Sequence, residues 1–153
     1  MHLSALRASR STVPCRSRGV RVSEHPPYDP WEHARRLGIP VHVRRLRKSH
    51  GLWFPDYGEI LLADHLKPWA QRCVLAHEVG HAVLGHRDDP PENEWAADRY
   101  AALNLISPAM LTSAVKRHGS DVPAIRKELR VTSRLLRAAY SPFAAPNLYH
   151  EKG

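Results

Sequence analysis

The run Cys73-Val74-Leu75-Ala76-His77-Glu78-Val79-Gly80-His81-Ala82-Val83-Leu84, closed by Gly85-His86, is the stretch from which the rest of the chain is read. If it is helical from Cys73 to Leu84, then Leu75, Val79, Ala82 and Val83 fall on one side and His77 and His81 on the opposite one, with Glu78 between them. Such a helix packs by its apolar face and binds by its polar face. Histidines at i and i+4 can put two imidazole nitrogens on one Zn²⁺, and a glutamate one step around can hold a water and take its proton. Further along, Glu94-Trp95-Ala96-Ala97-Asp98 enters a second helix, where Glu94, Asp98, Ala101 and Leu105 form one stripe. Glu94 is the expected third ligand, which leaves a fourth position open, as a catalytic zinc requires. Asp98, one turn on, is placed to accept the free ring N–H of a ligating histidine. The implied chemistry is metal-dependent hydrolysis with Glu78 as the base. With 11 histidines in 153 residues, the five-residue pattern alone is only suggestive. The matching stripes carry the argument, because a plain surface helix beside an acidic one would leave both as coincidences.

Upstream of this stretch, Asp29-Pro30-Trp31 starts a helix, with Asp29 as cap and Pro30 in the first position, and Gly38 ends it. A strand begins at Ile39-Pro40-Val41-His42-Val43. Leu52-Trp53-Phe54 and Glu59-Ile60-Leu61-Leu62 flank the turn Pro55-Asp56-Tyr57-Gly58, so a small antiparallel sheet is predicted to run into the metal helix. The strand just before that helix is either an open edge, where an extended substrate could pair by backbone hydrogen bonds, or an ordinary core strand. Downstream, Ser107-Pro108 caps a helix that Gly119 terminates. Two short basic helices between Asp121 and Tyr140, joined at Arg130-Val131-Thr132, have the outline of a helix-turn-helix. Buried Ile125, Leu129, Leu135 and Leu136 would look the same in helices that only pack on the core. The fold class is α+β: a small antiparallel sheet, a metal-binding two-helix core and C-terminal helices. The expected division is a basic, disordered tail over 1–25, a catalytic domain over 26–107, a helical subdomain over 108–140 and a frayed tail over 141–153.

Composition sets the bounds. A 42% hydrophobic content over 153 residues supports one folded domain with appendages. Five of the eight net positive charges come from Arg7, Arg10, Arg16, Arg18 and Arg21, in a stretch without an acid. That tail is expected to be dispensable for folding and metal binding, as with a translation start upstream of the functional one. At most it adds a salt-sensitive attraction to nucleic acid. No apolar stretch has the length of a secretory signal or a membrane span. Cys15 and Cys73 cannot make a disulfide framework, which agrees with a reducing cytoplasm. Cys73 lies one turn before His77 and is read as a small buried residue rather than a ligand.

The run Val74 to His86, followed by Pro91-Glu92-Asn93-Glu94-Trp95-Ala96-Ala97-Asp98-Arg99-Tyr100-Ala101-Ala102, resembles the ImmA/IrrE family of metallopeptidases. The resemblance extends over roughly Tyr28 to Tyr140. It implies a zinc endopeptidase whose substrate is a protein, a phage- or mobile-element-type repressor or other transcriptional regulator, and it makes repressor docking another use for the C-terminal helices. The chain departs from the family at Ala96, where a second acidic residue usually follows the ligand; Glu92 is a weaker alternative to Glu94. In the expected mechanism Glu78 receives the proton of the attacking water and passes it to the leaving amine. His86, Tyr57 and Tyr100 are the expected donors to the tetrahedral oxyanion. Two other classes stay open: a zinc-stabilised regulator that binds DNA through its C-terminal helices, and a module that titrates a repressor without cutting it. Glu78 argues against the first, because a structural site has no use for a carboxylate beside an open coordination position.

Overall fold

Helix α1 (Pro30–Arg36) starts where Asp29 and Pro30 predict: Asp29 Oδ1 accepts the Trp31 backbone N–H at 2.9 Å, and Pro30 occupies the first turn. The computed structural model describes residues 27–140, so the expectations for 1–25 and 141–153 lie outside the described residues. After α1 come β1 (Val41–Arg44), β2 (Gly51–Phe54), β3 (Glu59–Ala63), α2 (Pro68–Leu84), α3 (Pro91–Leu105), α4 (Pro108–His118), α5 (Val122–Leu129) and α6 (Ser133–Tyr140).

The sheet is mixed, which corrects the antiparallel expectation. Its order is β1-β3-β2. The turn at 55–58 makes β2 and β3 an antiparallel hairpin with Gly51 opposite Leu62 and Phe54 opposite Glu59. β1 pairs with the other side of β3, and does so in parallel, from Val41 opposite Ile60 to Arg44 opposite Ala63. The cause is two chain reversals, at 45–50 and at 55–58, which restore the direction of β1 by the time the chain reaches β3. Of the two readings of the strand before the metal helix, the core strand holds. That strand, β3, is the central one, and among the described residues the edges are β1 and β2. Ile60 and Leu62, two residues apart and so on one face, are fully buried against Leu75 and Val79 of α2.

Helix α2 is wedged between two apolar clusters rather than packed by one face. Leu75 and Val79 meet Ala34, Ile60 and Leu62 on the sheet side. Cys73 and Ala76 join Ala101, Ala102, Leu105, Ile125, Leu129, Leu135 and Leu136 on the helical side. Val83, expected on the apolar face, is 45% exposed, because the last turn runs beyond both clusters. Between α2 and α3 the contact is close: a Cβ on Gly80 would lie 3.2 Å from the Ala97 backbone. That approach lets a carboxylate from α3 reach histidines on α2. Helix α4 begins at the cap read from sequence, Ser107 Oγ accepting the Met110 N–H, and α5 at a cap the reading did not assign, Asp121 Oδ1 accepting the Ala124 N–H. Through Leu135, Leu136 and Ala138, α6 shares the cluster of α2 and α3. Among the described residues no helix is long and apolar enough to cross a membrane.

Candidate metal centre

His77 and His81 project from α2 toward Glu94 on the first turn of α3, and one ligand atom from each of the three lies within 4.8 Å of the others. The two Nε2 atoms are 3.0 Å apart, and the Glu94 carboxylate oxygens lie 3.1 Å from His81 Nε2 and 3.6 Å from His77 Nε2. Lone pairs that converge so closely need a positive charge among them, a proton or a metal ion. Two imidazoles and one carboxylate with room for a further ligand suit a first-row divalent ion, so the residues present fit the group.

Each imidazole is held from behind. His77 Nδ1 donates to Asp98 Oδ1 at 2.8 Å, the role read from the sequence, with the Asp98 side chain only 5% exposed. His81 Nδ1 lies 3.0 Å from His86 Nδ1. Gly85, at φ 70, turns the chain left-handed at the end of α2 and folds His86 back beside His81, where Trp53 Nε1 donates to the His86 carbonyl at 3.1 Å. With both δ-nitrogens engaged, both ε-nitrogens are fixed to face Glu94. His86 thus stands behind His81 and is not among the residues that line the cleft, where an oxyanion donor was expected.

The centre opens into a cleft of about 390 Å³ lined by β2 residues Gly51, Leu52 and Trp53, by Val74, His77, Glu78 and His81, and by Glu94, Asp98, Thr132, Arg134 and Leu135. Glu78 is buried on its wall. A Cβ at Gly51 would come within 2.7 Å of Glu78 Oε1, so the strand passes this carboxylate as closely as glycine allows. Tyr57 and Tyr100, the other expected oxyanion donors, are elsewhere. Tyr57 is 79% exposed on the β2–β3 turn. Tyr100 packs with Leu75 and Val79 on the sheet side, its hydroxyl 3.4 Å from His33 Nδ1. Glu92 is exposed and outside the donor group, and Cys73 is buried in the core with its thiol against the Arg130 carbonyl.

One residue that the sequence reading missed joins the centre. Arg134, on α6, donates through Nε to Asp98 Oδ2 and through Nη2 to Glu94 Oε2, both at 2.9 Å. No spacing rule links positions so far apart in sequence. The only signal was an arginine next to two core leucines.

This arrangement is what the comparisons with known proteins meet. The M78 peptidase family, described as the IrrE N-terminal-like domain, matches residues 34–140. The chain belongs to this family. It is also 36% identical over 52 residues to the radiation response metalloprotease IrrE of Deinococcus radiodurans, a stretch covering 34% of this chain and 16% of that protein. This IrrE-like chain thus matches only a small part of its relative's length.

Electrostatics in this IrrE-like site follow from burial and pairing. Burial alone would lower the His77 pKa, but hydrogen bonds to Asp98 and Glu94 outweigh it and raise it to about 9. Glu78 is pushed up by burial, against the opposing pull of His77 and His81. Glu94 is held well below the usual carboxylate range by hydrogen bonds from His77 and His81, with burial opposing and Arg134 adding to the effect. A poised Glu78 beside a strongly ionised Glu94 separates a group that can exchange a proton from one that can bind a cation.

Proposed function

We propose that this chain is a zinc-dependent endopeptidase that cuts one bond in a specific protein, a repressor or regulator of the phage or mobile-element type. The observation that carries the reading is the convergence of His77, His81 and Glu94 at one end of a cleft whose wall holds the buried Glu78 carboxylate. The family membership and the metalloprotease relative support the reaction class. Zinc held by the three ligands would supply Lewis acidity, making water a nucleophile near neutral pH and polarising a carbonyl.

The chain's own residues do the rest. Glu78, whose carboxylate burial makes more basic than an ordinary one, receives the proton of the attacking water and returns it to the departing amine. β2 lines the cleft and is an edge strand among the described residues, so an extended peptide can add to it by main-chain hydrogen bonds and lie across Glu78. Arg134, on the same wall, positions Glu94 and Asp98 and adds positive charge where the oxyanion develops.

Incubating the zinc-loaded protein with the repressor encoded nearest its gene is expected to give a discrete fragment. That fragment should be absent with a chelator and with Glu78→Gln. A repressor left intact by a fully zinc-loaded protein would count against the substrate, and a fragment produced equally by Glu78→Gln would count against the mechanism.

A further inference from the structure

A cavity of about 860 Å³, larger than the metal cleft, lies between the start of α2 and α5. Lys67, Arg126, Lys127 and Arg130 surround it, and Trp69 and Val131 are among its apolar walls. The single acid that lines it, Asp121, has its Oδ1 engaged by the Ala124 backbone N–H. None of the four cations forms an ion pair among the described residues. Helix α2 begins here with no side-chain cap and no acidic residue in its first turn, so its positive end adds to the same potential. Four like charges around one concavity repel one another and favour an anionic occupant.

The cavity adjoins the metal cleft. Val131 lines one and Thr132 the other; Trp69 lines one and Cys73, a helical turn along α2, the other. One turn is about 5.4 Å, so the two linings meet on neighbouring stretches of α2 and of the connection between α5 and α6. We infer that this cavity is an exosite for an acidic segment of the polypeptide whose backbone occupies the metal cleft. The inference rests on the peptidase reading for the identity of that polypeptide. Peptide is favoured over nucleic acid because the four cations share the cavity with the apolar walls of Trp69 and Val131, which suit side chains better than a phosphate backbone, and because the cavity neighbours the metal cleft. The apolar walls would take the aliphatic or aromatic side chains that accompany the acids.

The test measures binding alone. Fluorescein-labelled decapeptides of alternating glutamate and leucine, and of alternating glutamine and leucine, are titrated with the full chain at physiological ionic strength, alongside a labelled oligothymidylate. Wild type and Glu78→Gln are expected to bind the glutamate peptide about tenfold more tightly than the glutamine peptide, a preference that shrinks as salt rises. Lys67→Glu/Lys127→Glu should abolish the preference. Both positions are exposed, and a glutamate at the start of α2 suits the helix dipole, so the fold is expected to persist. Lys127→Gln alone, expected to lose part of the preference, gives the readout if the double variant fails to fold. Equal binding of the two peptides by wild type would overturn the inference, as would a preference that survives both substitutions. Oligothymidylate binding more tightly than the glutamate peptide, and weakened by the same substitutions, would reassign the cavity to nucleic acid. Because nothing is hydrolysed, the result stands even if the Glu78→Gln cleavage test fails.

Discussion

At the scale of the residue, the metal centre separates into parts visible in the sequence and parts only the fold assembles. His77, Glu78, His81, Glu94 and Asp98 were legible because helical spacing alone puts them on facing stripes. The role of His86 was not legible, because its place beside His81 depends on the left-handed turn at Gly85, which spacing does not encode. His86→Ala is expected to leave the fold intact and weaken zinc binding by about 10- to 100-fold, the usual effect of losing a partner that orients a ligand. Competition with a chromophoric chelator measures it, and unchanged affinity would remove the orienting role. Glu78→Gln should keep its zinc while hydrolysis falls by at least about 10²-fold. A variant that loses the metal instead would make Glu78 part of the metal's support and not the base.

At the scale of the element, the helix starts at Asp29 and Ser107 could be read from capping chemistry, and they stand where the sequence places them. The sheet could not be read as fully. Hairpin β2–β3 follows from its turn, but β1 pairing in parallel with β3 is a long-range choice that local pattern does not record. That choice puts β2 at the edge beside Glu78. Gly51→Ala is therefore expected to fold and bind zinc while losing most peptidase activity, because the added methyl would overlap Glu78 and Val74. Zinc content and cleavage measured on the same sample separate the two effects, and full activity would show that the strand can retreat without cost. Helix α6 is tied to the centre by Arg134, which is half exposed yet holds two carboxylates. Arg134→Ala should weaken zinc binding by about tenfold, with partial recovery in Arg134→Lys, since lysine restores charge but not the two-pronged geometry.

At the scale of the whole molecule, two apolar clusters clamp α2 from opposite sides, and the buried polar residues among those described are Glu78, His81 and Asp98, all at the metal centre. The core thus clamps α2, and the candidate metal centre lies where the sheet side meets the helical side. Proton linkage gives a pH test. In metal-free protein the His77 pKa is raised to about 9 from its ordinary 6.5. The stabilisation is fully present below pH 6.5 and is lost as pH rises through 9; at about 1.4 kcal/mol per pKa unit it amounts to roughly 3 kcal/mol. Zinc must displace that proton, so apparent zinc affinity should fall about tenfold for each pH unit below 9. Chelator competition across pH 6 to 9 checks this, and a flat profile would show that His77 is not protonated when zinc arrives.

The central claim is that His77, His81 and Glu94 together hold one metal ion. Metal content per chain, measured side by side on wild type, His77→Ala and Glu94→Ala purified under the same conditions, tests it most directly. The expected result is about one zinc in the wild type and little in either variant, with all three proteins folded by circular dichroism. Equal zinc in all three, or none in a folded wild type offered the metal, would contradict it.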